Sequence, residues 1–261
     1  MTRTRPAHLL ASVLTAAALL TCAGCSDDTD NTGAKEAVGS PLAARTTASP
    51  DRLTAEGAQA ALITESDIED DWTQVDDAAG WHNSLLVGEV DVADFLSAKS
   101  DAADCQQLLD GLYSDDLLGK PSGASALRGF EEGDSRLLYQ VAAYDRDDLD
   151  SSLAWLKTLP TECDRFTATD GEGQQRTVEV IETSVPDEGD ARQGLRVTVQ
   201  GDVDGSPATL TLDVAAVRVG SDGITVTSGG LDGDEDDSVE DAVEAGVDRL
   251  KDVQAGKTPQ S

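Results

Sequence analysis

Residues 195–227, LRVTVQGDVDGSPATLTLDVAAVRVGSDGITVT, decide the fold of this chain. Three runs rich in Val, Ile, Leu and Thr, at 195–200, 208–219 and 224–227, are separated by short segments rich in Gly, Asp and Ser. β-Branched residues favour strands, and Gly, Asp and Ser favour turns. Because connections this short suit consecutive antiparallel strands, the stretch predicts a β-meander.

The same pattern continues upstream, where further strands are predicted at 166–169 and 177–184. Two more extended segments, at 124–130 and 136–144, flank Gly133-Asp134, a dipeptide typical of hairpin turns. Four helices complete the pattern, at 55–63, 100–113, 147–159 and 236–253. The sequence therefore predicts an α+β fold, an antiparallel β-sheet with packed helices and one disulfide.

The helix ends carry their own signals. Thr54 is predicted to cap the first helix, and Ser238 with Asp241 to cap the last. Pro160 is predicted to stop the third helix. Apolar residues at helical spacing mark the buried faces, and Cys105 falls on one of them. These stripes are Cys105, Leu108, Leu109 and Leu112; Leu149, Leu153, Leu156 and Leu159; and Val239, Val243, Val247 and Leu250.

The N-terminus has the features of an export signal. Arg3 and Arg5 precede an apolar or small run at 9–21, which is roughly 20 Å long as a helix and too short for a membrane span. The sequence Cys22-Ala23-Gly24-Cys25 resembles a bacterial lipobox, which predicts cleavage before Cys25 and acylation of its thiol. Cys22 is the rival site, and ordinary signal cleavage that leaves a free thiol is the other alternative.

Composition divides the remaining chain. Residues 25–52 are rich in Thr, Ala, Gly, Ser and Pro and predict a flexible tether. Residues 53–254 are long enough for one well-packed domain. The predicted organisation is therefore a signal peptide at 1–24, the tether at 25–52, a ligand-binding domain at 53–254 and a disordered tail at 255–261.

Charge and cysteine content exclude several functions. The 51 acidic and 19 basic side chains give a formal net charge of −32. A chain this acidic repels nucleic acid and anionic headgroups, which excludes nucleic acid as a partner. After the lipobox only Cys105 and Cys163 remain, and two cysteines in an exported protein most simply form a disulfide. Two thiols and the one histidine that follows the signal are a poor metal-ligand set, so no metal or other cofactor is expected.

Four segments together resemble a known family: CQQLLDGL (105–112), RGFEEGDSRLLYQVAAY (128–144), LPTEC (159–163) and VAAVRVGSDGITVT (214–227). Their order is similar to that in the PknH-like sensor domain of actinobacteria. The resemblance covers residues 53–253 and implies an extracytoplasmic α+β domain with a concave face for an unknown ligand. The kinase sensor has two disulfides, whereas this domain can form one. The family supplies no catalytic motif.

Motifs for catalysis are weak. His82 is the only histidine beyond the signal, and no nucleophile elbow, zinc-protease motif or phosphate loop accompanies it. The acidic loop 231–237 carries Asp232, Asp234 and Asp236, but Asp237 and Val243 stand where a calcium loop needs Gly and Glu. A solvated loop is the expected state, and weak Ca²⁺ binding stays open. We expect no enzymatic activity.

These observations predict a monomeric, lipid-anchored domain on the outer face of the cell membrane that binds or senses a small-molecule or cell-envelope ligand. The runner-up is a carrier of an apolar ligand, which would show a large dry pocket lined by Leu and Val. A cell-wall hydrolase would show two facing carboxylates beside Trp81 or His82. A structural partner protein would show a large exposed apolar patch.

Overall fold

One large antiparallel sheet organises the chain. The structure is a computed structural model that describes residues 52–68, 71–78, 86–87, 90–91, 99–100, 102–133, 135–170, 173–203, 205–231 and 236–259. Its strands are β1 Thr73–Gln74, β2 Leu86–Val87, β3 Val90–Asp91, β4 Lys99–Ser100, β5 Ser125–Glu132, β6 Ser135–Ala143, β7 Arg165–Thr169, β8 Gln175–Thr183, β9 Ala191–Val203, β10 Ser206–Val219 and β11 Asp222–Leu231.

The order of strands confirms the predicted meander. The nine-stranded sheet runs β1-β5-β6-β11-β10-β9-β8-β7-β4, so β7 to β11 are neighbours in chain order. The hairpin β5–β6 joins this meander through the pairing of β6 with β11. Strands β2 and β3 pair only with each other. The α+β class is therefore confirmed.

Four α-helices accompany the sheet in the described residues: α1 Ala55–Ala60, α2 Ala103–Tyr113, α3 Arg146–Glu162 and α4 Asp236–Gln254. Helices α2 and α3 pack on one side, which we call the disulfide layer, and α1 and α4 pack on the other, which we call the terminal layer. Strand β10 shows the division, because Val214 and Ala216 join the first core whereas Ala215 and Val217 join the second. Successive side chains of a strand point to opposite faces, so both faces of the sheet carry a core.

The disulfide layer is closed by a covalent bond. Cys105 in α2 and Cys163 at the end of α3 form the predicted disulfide, with Cα atoms 5.6 Å apart and both residues buried. The cysteine lies beside the predicted leucine stripes, which are buried as expected. The bond therefore joins α2 and α3 across 58 residues of chain.

The terminal layer is held by close packing and polar contacts. Tyr139 of β6 is buried beneath Gly246 of α4, where an added Cβ would lie 2.5 Å from the phenol oxygen. That hydroxyl donates to the carbonyl of Ala61 at 3.3 Å. Arg249 of α4 pairs with Asp67 in the short 3₁₀ helix Glu65–Asp67 at 3.0 Å. The side chains thus join α1, the 3₁₀ turn, β6 and α4.

Two predicted helix ends are wrong. Helix α1 begins after the predicted cap Thr54 but ends at Ala60 rather than near Ile63. The carbonyl of Ile63 accepts from Arg128 at 2.7 Å, so a side chain replaces the helical bond there. Pro160 does not stop α3, which continues to Glu162. Proline lacks the N–H that would donate to the carbonyl of Leu156, and only two helical residues follow Pro160, so its effect is confined to the last turn.

The start of α4 agrees with the prediction, but its cap does not. Leu231 is the last residue of β11 and Asp236 begins α4, so the predicted acidic loop 231–237 includes the end of the strand and the start of the helix. Ser238 is a residue of the helix and not its cap. Its hydroxyl is buried and accepts a hydrogen bond from the indole of Trp72 at 3.0 Å.

Several predictions lie outside the described residues. They include the signal, the tether, Cys25, Trp81, His82, Asp232 and Asp234. None of the described helices is both long enough and apolar enough to cross a membrane.

Candidate functional site

The described helices leave part of one sheet face uncovered. Residues paired across an antiparallel sheet share a face, so the row Thr167–Thr177–Gln200 lies on the same side as the terminal layer. On that side α1 and α4 cover β5, β6, β10 and β11. The side chains on β7 to β9 are exposed or half-buried, and most are Thr, Gln or charged. We call this polar surface of β7, β8 and β9 the open face.

A cavity of about 270 Å³ lies where the open face meets α4. Its walls come from the end of β8 and the residues after it, from β9 and β10, and from the first turns of α4. Eight residues line it: Thr183, Ser184, Val185, Arg196, Asp213, Val214, Val239 and Glu240. The volume is close to the lower end of the range for small-molecule sites, so the cavity suits a small ligand.

One wall of the cavity depends on a glycine. Thr183 ends β8, and the chain then lies against Gly194 of β9. A Cβ on Gly194 would lie 2.6 Å from the carbonyl oxygen of Thr183 and 2.8 Å from Cγ1 of Val185. A glycine in a strand often marks a close approach of another backbone segment. Gly194 therefore lets residues 183–185 form the wall.

An ion pair forms another wall of the cavity. Arg196 and Asp213 are directly opposite in the β9–β10 register, with Nε to Oδ1 at 2.7 Å and Nη2 to Oδ2 at 3.0 Å. The side chain of Asp213 is 5% exposed and that of Arg196 is 25% exposed. A bidentate pair fixes a guanidinium in orientation as well as in charge. Asp213 thus holds Arg196 in a defined position at the cavity.

The polar row continues beneath α4. Ser228 is the register partner of Asp213 in β11, and its hydroxyl is buried with no hydrogen-bond partner among the described residues. Ser238 of α4 is also fully buried, but it has the indole of Trp72 as a partner. A polar strip therefore crosses from the open face into an otherwise apolar core, and the cavity lies on this strip.

The charges around the cavity are unequal. Arg196 and Asp213 compensate each other, whereas Glu240 is exposed and its carboxylate makes no hydrogen bond or ion pair in the described structure. The formal charge of the lining is therefore −1, from one Arg, one Asp and one Glu. The lining includes two hydroxyl side chains, Thr183 and Ser184, but no histidine, cysteine or lysine. This set can bind and orient a polar ligand.

The residues predicted from sequence do not meet at this cavity. Cys105 and Cys163 belong to the disulfide layer on the opposite side of the sheet. Trp72 is a core residue, and Trp155 is half-buried. In the described part of the chain, no group of three His, Cys, Asp or Glu side chains could hold a metal ion.

Sequence reasoning missed Arg196 and Asp213. A signal for both is present, because each is a charged residue inside a strand of Val, Leu and Ala. Asp213 stands between Leu212 and Val214, which are buried. A buried charge is normally paired, so an Asp in such a strand indicates a cation on its neighbour. Thr183, Ser184 and Glu240 carry no comparable signal, since they come together only through the tertiary fold.

The described surface and cavity bear on two of the alternatives. The cavity has three valines and no leucine, and five of its eight lining residues are polar or charged. This is not the dry Leu and Val pocket expected of an apolar carrier. Among the described residues Ile181 is the only large hydrophobic side chain that is exposed, so the apolar patch expected of a structural partner is not seen there.

Comparisons with known proteins give a likeness of fold. No family model matches the sequence, and no curated protein matches it. The structure is similar to that of the extracellular domain of PknH from Mycobacterium tuberculosis, with a TM-score of 0.44 and 11% identity, over 78% of this chain and 99% of that one. It is also similar to an uncharacterised protein (Rv0999 ortholog) from Mycobacterium smegmatis, with a TM-score of 0.42 and 16% identity, over 77% and 98%.

Proposed function

We propose that this chain is a lipid-anchored, extracytoplasmic binding or sensing domain without enzymatic activity, and that its small-molecule or cell-envelope ligand occupies the cavity beside the Arg196–Asp213 pair. One observation carries the proposal: a cavity of about 270 Å³ lies at the inner edge of a polar sheet face that no described helix covers. Polar groups fixed by a rigid sheet are typical of recognition sites.

The lining of the cavity supports binding rather than catalysis. Hydrolysis by a serine or threonine needs a base within hydrogen-bond reach of the hydroxyl. Asp213 is the most buried acid in the lining, and both its oxygens accept from Arg196. Glu240 is exposed. The pair therefore has the geometry of a fixed recognition element, with the carboxylate committed to orienting the guanidinium.

Export and anchoring rest on the N-terminal sequence, and export is also supported by the disulfide, since disulfides persist outside the cytoplasm. Two acyl chains on Cys25 would hold the protein stably at the membrane, because each buried CH₂ contributes ~0.8 kcal/mol. The tether 25–52 would then let the domain move away from the surface.

The anchor is tested by metabolic labelling with an alkyne fatty acid in a host that processes lipoproteins. Cys25→Ala is expected to abolish the label and release the protein from the membrane. Cys22→Ala is the matched control and should keep both the label and the membrane fraction. Loss of the label with Cys22→Ala instead would place the anchor at the rival cysteine, and a labelled Cys25→Ala would contradict the proposed site.

Ligand binding is tested by native mass spectrometry of the full chain extracted from its host's envelope in mild detergent. The proposal predicts a non-protein mass, beyond the lipid anchor, that is released when the protein is denatured. A wild-type chain that carries no such mass, and regains none when incubated with a small-molecule extract of the envelope, would contradict a binding function.

A further inference from the structure

The cavity has a charge that its own residues do not balance. Arg196 is compensated by Asp213 through two hydrogen bonds, at 2.7 and 3.0 Å. Glu240 stands at the same cavity, and its carboxylate has no ion-pair partner in the described structure. A ligand in the cavity therefore meets a net negative site, although an arginine is present.

The rest of the chain strengthens this asymmetry. The formal net charge is −32, so the potential around the domain attracts cations and repels anions. An anionic ligand would have to compete with Asp213 for the guanidinium of Arg196. A cationic ligand would instead complete a pair that the structure leaves half-formed at Glu240.

The other lining residues indicate the chemistry of the rest of the ligand. Thr183 and Ser184 offer hydroxyl groups in the wall formed by residues 183–185, and Val185 and Val239 offer short apolar contacts. The open face beyond them continues with threonine and glutamine side chains. A small, polar molecule with only a short apolar stretch therefore matches this surface better than a lipid chain does.

We infer that the ligand of this cavity carries an ammonium or guanidinium group, which pairs with Glu240, on a small polar body that contacts Thr183 and Ser184. The inference rests on the proposed function and names the chemical class of its ligand. It assigns to Glu240 the specificity for charge, and to the Arg196–Asp213 pair the rigid wall against which the ligand lies.

The helix itself offers a competing explanation for Glu240. Acidic residues near the start of a helix are stabilised by its dipole, whether or not a ligand binds. Asp241 is the next residue of α4, is exposed and does not line the cavity. Asp241→Asn therefore removes the same charge from the same helix turn and serves as the matched control for Glu240→Gln.

The test titrates the full chain with three five-carbon probes that share one hydroxyl end and differ at the other: aminopentanol, pentanediol and hydroxypentanoate. Binding is measured by calorimetry at low ionic strength. Aminopentanol is expected to bind most tightly, and Glu240→Gln to weaken it roughly threefold to tenfold, as for a partly exposed charge pair. Asp241→Asn should change its affinity by less than twofold, and added salt should weaken binding to wild type.

The outcomes separate the inference from the proposed function. If pentanediol or hydroxypentanoate binds as tightly as aminopentanol, or Glu240→Gln has no larger effect than Asp241→Asn, the inferred ligand class is wrong while a binding site remains. If none of the probes binds at millimolar concentration, the inference is also contradicted. The proposed function fails separately, when the chain from its own envelope retains and regains no ligand.

Discussion

The two sides of the sheet are stabilised in different ways. In the disulfide layer, leucines of α2 and α3 pack on valines of β8 and β9, and a disulfide closes the pair of helices. Its buried arginines, Arg176 and Arg218, lie one residue from a strand end. In the terminal layer a buried charge lies in the interior of a strand, since Asp213 is in the middle of β10 and Ser228 is its neighbour.

This difference shows where recognition is possible. The disulfide layer has its buried charges near strand ends, although Gln193 and Thr225 are buried polar residues on that face. A layer whose apolar packing is interrupted in mid-strand needs partners for the polar groups, and such groups can also orient a ligand. The cavity lies where the polar strip of the terminal layer reaches the open face, so the polar interior and the cavity belong together.

The largest expected effect is on the disulfide layer. The double variant Cys105→Ser/Cys163→Ser should lower the free energy of unfolding by about 4 kcal/mol, because it releases a loop of 58 residues in the unfolded chain. Urea unfolding measures this loss. Retention of the ligand by the folded fraction should be unchanged, and a loss of ligand in step with the disulfide would show that the two layers are coupled.

The next effect concerns the ion pair at the cavity. Asp213→Asn should lower the free energy of unfolding by about 2 kcal/mol, because it removes the charge that compensates a largely buried guanidinium. Asp150→Asn is the control, since Asp150 pairs with Arg218 at 2.9 Å but is half exposed, and Arg218 keeps Asp190 at 3.4 Å as a second partner. The control substitution should lower the free energy of unfolding by less than about 1 kcal/mol. Equal losses would mean that burial does not distinguish the two pairs.

A smaller effect distinguishes two buried serines of the terminal layer. Ser228→Ala should raise the free energy of unfolding by about 0.5–1 kcal/mol, because the hydroxyl is buried without a partner in the described structure. Ser238→Ala should lower it by about 1 kcal/mol, because the hydroxyl accepts from Trp72. Chemical unfolding of both variants measures the contrast. A destabilised Ser228→Ala would indicate that this hydroxyl has a partner, such as a buried water.

The smallest effect is on how the free energy of unfolding changes with pH. Burial raises the pKa of Asp222 above its ordinary value of 3.8, although Gln254 of α4 donates to its carboxylate at 2.9 Å and Arg52 lies nearby. A raised folded-state pKa means that Asp222 stabilises the protein most when protonated, and that this contribution is lost as the pH rises through the folded pKa.

Asp222→Asn removes that loss, because an amide stays neutral. The stability of the variant relative to wild type should therefore increase as the pH rises from 4 to 7, as measured by urea unfolding at each pH. Asp104→Asn, at an exposed position of α2, is the control and should show no such trend. A flat difference for Asp222→Asn would contradict the raised pKa.

Much of the fold could be predicted from the sequence. The alternation of β-branched residues with Gly- and Asp-rich turns indicates the meander, and the leucine stripes beside Cys105 and Cys163 indicate the helices that the disulfide joins. The predicted helix boundaries are wrong where a tertiary contact replaces the local signal. Ser238 has the pattern of a cap, yet Trp72, which is distant in sequence, is its partner.

The cavity could not be predicted in the same way. Its residues come from β8, β9, β10 and α4, and only strand register brings Arg196 opposite Asp213. The close approach at Gly194 is a property of the folded chain, because a glycine in a strand does not reveal which segment will cross it. The sequence pattern thus predicts the two helix layers, whereas the cavity depends on which strands and which helix the fold brings together.

The most direct measurement of the central claim is the amount of ligand retained by a chain whose cavity is filled. Ser184→Trp places an indole at an exposed residue of the lining, and Thr167→Trp makes a similar exchange on β7, outside the lining. Native mass spectrometry of the envelope-extracted proteins should show the non-protein mass in wild type and Thr167→Trp, and its loss in Ser184→Trp. Equal retention by both variants, with equal stability, would show that the ligand binds elsewhere on the domain.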